Sequence, residues 1–233
     1  MSTKDRAETT ARALKYWADG TPEIRMLKEF SHPQRASIDV GANIGQFTWW
    51  MRRYAKQVIA FEPIPELAGK LRRSFTGDSS VIVREAAASN VSGTADLAIP
   101  VNNDGSDRGA AASLSNDFSS QRTLTVNLER IDDLDHGPIG FIKIDVEGHE
   151  LDVLEGARET LLRDHPTLLV EIELRHHDGE IASKVAEICD LGYRAEFLFQ
   201  GEIRPFEDFV DDMQDLEKIG SPSDYINNFI FRV

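Results

Sequence analysis

The spacing of Asp39, Gly41, Gly45 and Glu62 is one that can hold a nucleoside. An apolar run around Ile38 and Val40 stops at Gly41, and after a short loop a helical pattern runs through Phe47, Met51 and Tyr54. Glycine permits a sharp turn or the close approach of a ligand. The helix that follows aims its free N–H groups and positive dipole end at whatever sits on the loop. A second apolar run, Val58-Ile59-Ala60-Phe61, ends on Glu62, 21 positions after Gly41. A carboxylate there can accept hydrogen bonds from both hydroxyls of a ribose. Asn43 stands where the dinucleotide pattern G-x-G-x-x-G has its middle glycine, and its side chain would crowd a pyrophosphate. Asp39, just before the loop, suits a cation such as an amino-acid ammonium. S-adenosylmethionine carries an adenosine, an amino acid and a sulfonium. The alternative, an NAD-dependent oxidoreductase, is disfavoured by Asn43.

A second group of reactive side chains lies in Gly140-Phe141-Ile142-Lys143-Ile144-Asp145-Val146-Glu147-Gly148-His149-Glu150. A buried strand ends at Asp145, and a helical pattern follows through Leu151, Val153, Leu154 and Leu161. The carboxyl end of a strand in an open α/β sheet is where ligands bind. Helix capping accounts for Glu147 or Glu150, because acids stabilise a helix start by about 0.3–1 kcal/mol each, but it does not account for Asp145. Farther on, Arg175-His176-His177-Asp178 follows the strand Thr167–Glu173. An unperturbed histidine titrates near 6.5, so His176 can serve as a general base. Asp145 and Glu147 are the other candidates for that role. The acids could instead hold a divalent metal such as magnesium, which lowers a hydroxyl's pKa; a resident metal is not the favoured reading.

These residues need a scaffold of strands alternating with helices. Helical spacing marks Thr9–Ala18, Glu23–Phe30 behind Pro22, Leu67–Phe75, the stretch after Asp145, Glu180–Leu191 and the acidic Glu207–Lys218. Short apolar or alternating runs mark strands at Val81–Val83, Thr94–Ile99, Leu124–Leu128, Tyr193–Phe199 and Asn228–Val233. The turn Ala87-Ala88-Ser89 after the third strand is small enough to let an adenine edge meet backbone groups. Residues 102–120 form a polar loop, long enough to suggest a lid or a tip. The pattern predicts an α/β fold: a mostly parallel sheet with helices on both faces and an antiparallel last strand. Residues 1–35 read as helices packing on a catalytic domain of residues 36–233.

Composition narrows the function classes. The net charge of −14 argues against general affinity for nucleic acid, which needs cations against its phosphates. A single cysteine, Cys189, rules out an internal disulfide and a multi-cysteine zinc site. The polar N-terminus is no secretory signal, and no apolar run reaches the roughly 18 residues of a membrane span. The expectation is a cytoplasmic protein.

The runs Ile38-Asp39-Val40-Gly41-Ala42-Asn43-Ile44-Gly45, Phe61-Glu62-Pro63, Ile142-Lys143-Ile144-Asp145-Val146-Glu147-Gly148-His149-Glu150 and Asn228-Phe229-Ile230-Phe231 together resemble the FkbM family of S-adenosylmethionine-dependent methyltransferases. The resemblance implies the class I methyltransferase Rossmann-like fold, with a seven-stranded sheet. It implies O-methylation of a hydroxyl on a small-molecule or glycan acceptor, a sugar or a polyketide-type natural product. Asp39, Gly41 and Gly45 would form the methionine-end pocket, Glu62 would hold the ribose, and Ala87-Ala88-Ser89 would flank the adenine. Asp145 would lie beside the sulfonium. With Asn43, Phe47, Thr48 and Pro63 from the two loops, these make up the expected cofactor set. A catalytically silent cofactor-binding module is a further alternative.

Overall fold

The computed structural model describes residues 3–19, 21–101, 112–115, 120–174, 181–218, 221 and 224–233. The chain starts with helix α1 (Thr3–Asp19), then a 3-10 turn (Pro22–Met26) that passes into the short α2 (Leu27–Phe30). One continuous helix was the expectation for Glu23–Phe30; proline at its start and the tight first turn divide it. Strand β1 (Ala36–Val40), helix α3 (Gln46–Met51), strand β2 (Gln57–Phe61), helix α4 (Pro65–Ser74) and strand β3 (Val81–Arg84) then alternate.

A small second sheet interrupts the alternation. It consists of β4 (Ala87–Ala88), β5 (Gly93–Pro100) and β6 (Gln121–Glu129), in the order β4-β6-β5. Alternation then resumes with β7 (Ile139–Ile144), α5 (Glu150–Glu155), α6 (Arg158–Asp164), β8 (Thr167–Glu171), α7 (Ile181–Cys189), β9 (Arg194–Phe199), β10 (Glu202–Pro205) and β11 (Asn228–Arg232). The helical pattern after Asp145 is two helices, not one. It breaks at Gly156, where a Cβ would lie 1.9 Å from the Ser89 carbonyl oxygen.

The main sheet runs β10-β9-β11-β8-β7-β1-β2-β3. Strands β3, β2, β1, β7 and β8 are parallel, and β11 enters antiparallel to both β8 and β9. The predicted antiparallel last strand is therefore present. The sheet has eight strands where seven were expected, because β9 turns back into β10 at Gln200-Gly201, both left-handed. Residues 206–218 form three 3-10 turns in place of the predicted acidic helix. Closely spaced carboxylates repel along a helix, and here Phe206, Phe209 and Met213 pack instead against the sheet core.

Strand parity decides what each face of the sheet carries. Ile38, Val40, Ile142, Ile144, Leu168, Val170, Phe229 and Phe231 face one core, which α5, α6 and α7 cover with Val153, Leu161 and Val185. The intervening residues face the other side. There Phe141, Leu169 and Ile230 meet Leu27, Phe30, Phe47 and Met51. Helix α1 lies over α3 and α4; Thr9 donates to the Ile44 carbonyl, and the Trp50 indole N–H donates to the Ala13 carbonyl. Among the described residues no helix is long and apolar enough to cross a membrane.

Candidate active site

On the second face, near the carboxyl ends of the central strands, parity exposes a row of polar residues. Asp39 of β1 pairs in register with Lys143 of β7. Ile144 pairs with Val170 of β8, so the next positions, Asp145 and Glu171, lie side by side. Glu171 in turn pairs with Asn228 of β11. A cleft of about 320 Å3 opens over this row.

Lys143 is the hub of the polar end. Its ammonium is buried, lies 2.7 Å from Asp145 Oδ2 and sits 4.6 Å over the Phe47 ring. Burial alone would disfavour the ammonium, but Asp145, Asp39 and Glu171 outweigh it and raise its pKa. Asp39 is fully buried; Thr48 donates to its Oδ2, while Oδ1 has no hydrogen-bond partner among the described residues, and the residue lines the cleft. Burial raises the Asp39 pKa against the pull of Lys143 and Thr48. Glu171 accepts a hydrogen bond from Asn227 at 2.8 Å. Burial, reinforced by Asp145, raises its pKa well above the ordinary carboxylate value despite Lys143.

The other end of the cleft is built by the two loops. Gly41 has φ +77°, and a Cβ there would stand 1.9 Å from the Asp145 carbonyl oxygen. The glycine is therefore required by the close passage of the Asp145 backbone, not only by a ligand. Asn43 is also left-handed, at φ 51°, a region Asn tolerates. Its Oδ1 accepts from the Ile44 N–H and its own N–H donates to Glu62 Oε2 at 2.8 Å. Glu62 Oε1 accepts from Ile64 N–H at 2.9 Å. Burial pushes the Glu62 pKa up to about 7 against those two backbone hydrogen bonds. Beyond Glu62 the wall turns apolar, with Ile64, Ala86, Ala87, Ala88 and Leu97.

Of the expected cofactor set, Asp39, Gly41, Asn43, Phe47, Glu62, Pro63, Ala87, Ala88 and Asp145 line the cleft. Gly45, Thr48 and Ser89 do not. A Cβ on Gly45 would meet Leu71 at 2.5 Å, so that glycine serves the packing of the loop on α4. Thr48 supports Asp39 from behind. Ser89 is buried, and its hydroxyl lies 3.0 Å from His149 Nε2. Ala87-Ala88, expected as a turn, is a short strand paired with β6. Glu147 lines the cleft beside Asp145; Glu150 accepts from the Gly148 N–H, a local turn contact. His176, His177, Asp178 and most of the 102–120 loop lie outside the described residues. Among the described residues no group of three or more His, Cys, Asp or Glu could hold a metal ion.

The methyltransferase FkbM domain model matches residues 39–195, from Asp39 through the polar row to β9. The chain belongs to the FkbM methyltransferase family. A solved methyltransferase FkbM from Methylobacillus flagellatus KT is similar, with TM-score 0.54 and 16% identity over 100% of this chain and 56% of that one. The chain thus spans little more than half of that relative's length. A Streptococcus mutans protein crystallised in complex with SAH gives TM-score 0.51 at 11% identity, over 91% of this chain and 96% of its own. At these identities the likeness is one of fold. No curated protein matches the sequence.

Within this FkbM chain, sequence reasoning passed over Lys143, Glu171, Asn227, Asn228 and Tyr16, all of which line the cleft. Lys143 had a visible signal: a lone cation inside an apolar strand is almost never buried unpaired. Glu171 and Asn228 become neighbours of the site only through the register of β8 and β11. Tyr16 reaches the site from α1, and no local spacing foretells that.

Proposed function

We propose that this FkbM-family protein transfers a methyl group from S-adenosylmethionine to a hydroxyl of a small-molecule or glycan acceptor. The observation that carries the reading is the two-ended cleft. Its apolar end suits an adenine, the Glu62 carboxylate stands between the ends, and the polar end holds Asp39 with an unpartnered buried oxygen. A buried polar atom without a partner is costly, and an amino-acid ammonium would satisfy Asp39 Oδ1. Glu62 spends one hydrogen bond per oxygen on the backbone, which leaves acceptor capacity for ribose hydroxyls. The residues present therefore fit this cofactor.

When bound, S-adenosylmethionine supplies an electrophilic methyl group on a cationic sulfur. The chain's own work is positioning. Asp39 fixes the amino-acid end of the cofactor and Glu62 its ribose, and Lys143 holds the Asp145 carboxylate at the junction with the acceptor space. Alignment of acceptor and methyl group converts a bimolecular step into an effectively unimolecular one. Asp145 and Glu147 offer carboxylates that orient a hydroxyl there. His176 stays in this reading as a further candidate base. Among the described residues five acids line the cleft, Asp39, Glu62, Asp145, Glu147 and Glu171, against the single Lys143. That balance suits an uncharged acceptor better than a phosphorylated one or nucleic acid.

The test is calorimetric titration with S-adenosylhomocysteine and, separately, NAD, on wild type and Glu62→Ala. S-adenosylhomocysteine alone should bind, and the variant should bind it about 100-fold more weakly. Loss of two charged hydrogen bonds at about 1.5 kcal/mol each gives that factor. Binding of NAD alone overturns the reading.

A further inference from the structure

The row of charged groups assigns a role that neither the glycine loop nor the Asp145 motif suggests. We propose that Glu171 is the catalytic base that takes the proton of the acceptor hydroxyl. The assignment rests on the methyl-transfer reading above.

Geometry carries it. Glu171 ends β8, lines the cleft and lies in register between Asp145 on one side and Asn228 on the other. Asn227 holds it with one side-chain amide hydrogen bond at 2.8 Å and reaches Glu173 with another at 3.2 Å. Asp145, the more conspicuous acid, has Oδ2 committed to the Lys143 ammonium at 2.7 Å. Asp39 lies one strand farther away and is fully buried. Lys143 of β7, Asp145 and Glu147 of the following loop and Glu173 act on Glu171. Tyr16 of α1 lies in the field of the same cluster.

The charge balance of the reaction explains why a carboxyl of high proton affinity suits the role. The acceptor oxygen forms a bond to the methyl carbon, the carbon–sulfur bond breaks with its electron pair left on sulfur, and the hydroxyl proton passes to a Glu171 oxygen. Before transfer a positive sulfonium stands near the carboxylates and favours the charged form of Glu171. After transfer that charge is gone, and the remaining acids favour the protonated form. The proton affinity of Glu171 thus rises as the acceptor gives up its proton, which is the direction a base requires.

The test needs no acceptor. Calorimetric titration of the full chain at pH 7, in two buffers of different ionisation enthalpy, measures the protons released on binding S-adenosylmethionine and on binding S-adenosylhomocysteine. Both ligands carry the same ammonium and ribose, so the direct contacts of Asp39 and Glu62 are common to both, the difference reads the sulfonium charge, and Glu171→Gln shows which carboxyl answers it. The expected result is a larger release with S-adenosylmethionine, by up to one proton, and loss of that difference in Glu171→Gln with S-adenosylhomocysteine affinity retained. Equal release by the two ligands in wild type overturns the assignment without recourse to any variant. So does a difference that persists in Glu171→Gln. Failure of wild type to bind either ligand overturns the cofactor reading itself, and this assignment with it.

Discussion

Replacing Lys143 with methionine keeps the length of the side chain and its contact with Phe47 while removing the only cation among the described residues that line the cleft. In the native protein the ammonium faces Asp145 at 2.7 Å and stands opposite the fully buried Asp39. Removing one partner of a buried ion pair costs about 3–5 kcal/mol, because the other charge is left without compensation. Asp145 is 40% exposed and can find water, so the lower end, about 3 kcal/mol, applies. In a chain of 233 residues that corresponds to a fall in Tm of about 6–12 °C. The effect has a required pH dependence. Without Lys143 the folded-state pKa values of Asp39 and Glu171 rise above their already raised positions. An acid whose folded pKa is raised contributes stability that is fully present below its unfolded pKa and is lost as pH rises through the folded value. The deficit of Lys143→Met should therefore grow from about 1 kcal/mol at pH 5 to about 3 kcal/mol at pH 8. Urea unfolding at both pH values measures it. A deficit equal at the two pH values, or none at pH 8, refutes the claim that Lys143 serves to compensate buried carboxylates.

Glu23 is buried with Oε2 unpartnered among the described residues, and burial raises its pKa to about 7 from 4.5. By the same sign rule its ionisation opposes folding above pH 7, so Glu23→Gln should stabilise the protein at pH 8 by up to about 3 kcal/mol and change little at pH 5. Thermal unfolding across that range reads the effect, and a destabilised variant at pH 8 contradicts it. Gly41→Ala should lose at least about 2 kcal/mol, since it combines a left-handed φ with a Cβ 1.9 Å from the Asp145 carbonyl; near-native stability in urea would show that the two loops are not locked together.

The alternation of β1, β2, β7 and β8 with helices was legible because each strand is a short apolar run that ends in a turn residue or an acid. The antiparallel last strand was legible from the strand pattern that closes the chain. What escaped depended on long-range packing. Position 156, where the helix breaks, admits only glycine because Ser89, far away in sequence, brings its carbonyl there, and the 3-10 turns from Phe206 onward bring their aromatic residues against the sheet core. Neither contact is visible in a local window. The glycine loop stands where the pattern put it, and its glycines answer to packing that the pattern does not show. Gly45 answers to Leu71, and Gly41 to the backbone of Asp145, before either meets a ligand.

The cleft itself shows why reactive residues can be found singly and still be missed as a set. Asp39 and Asp145 stood out in sequence because each follows hydrophobic residues at the end of a strand. Their relation to each other comes from the pleat. Asp39 and Lys143 are partners across β1 and β7, and Glu171 follows one strand on, all on the face opposite the main core. A shift of one residue in the β1–β7 register would turn Lys143 into that apolar core and leave Asp39 facing a hydrophobic neighbour. The attraction between Lys143 and Asp39 therefore helps to hold the register, and the register gathers the charges at one end of the cleft. Proton affinities at that end are properties of the row, not of its members. That is why a variant at Lys143 should be read through the pH dependence of stability, and one at Glu171 through the protons exchanged on ligand binding.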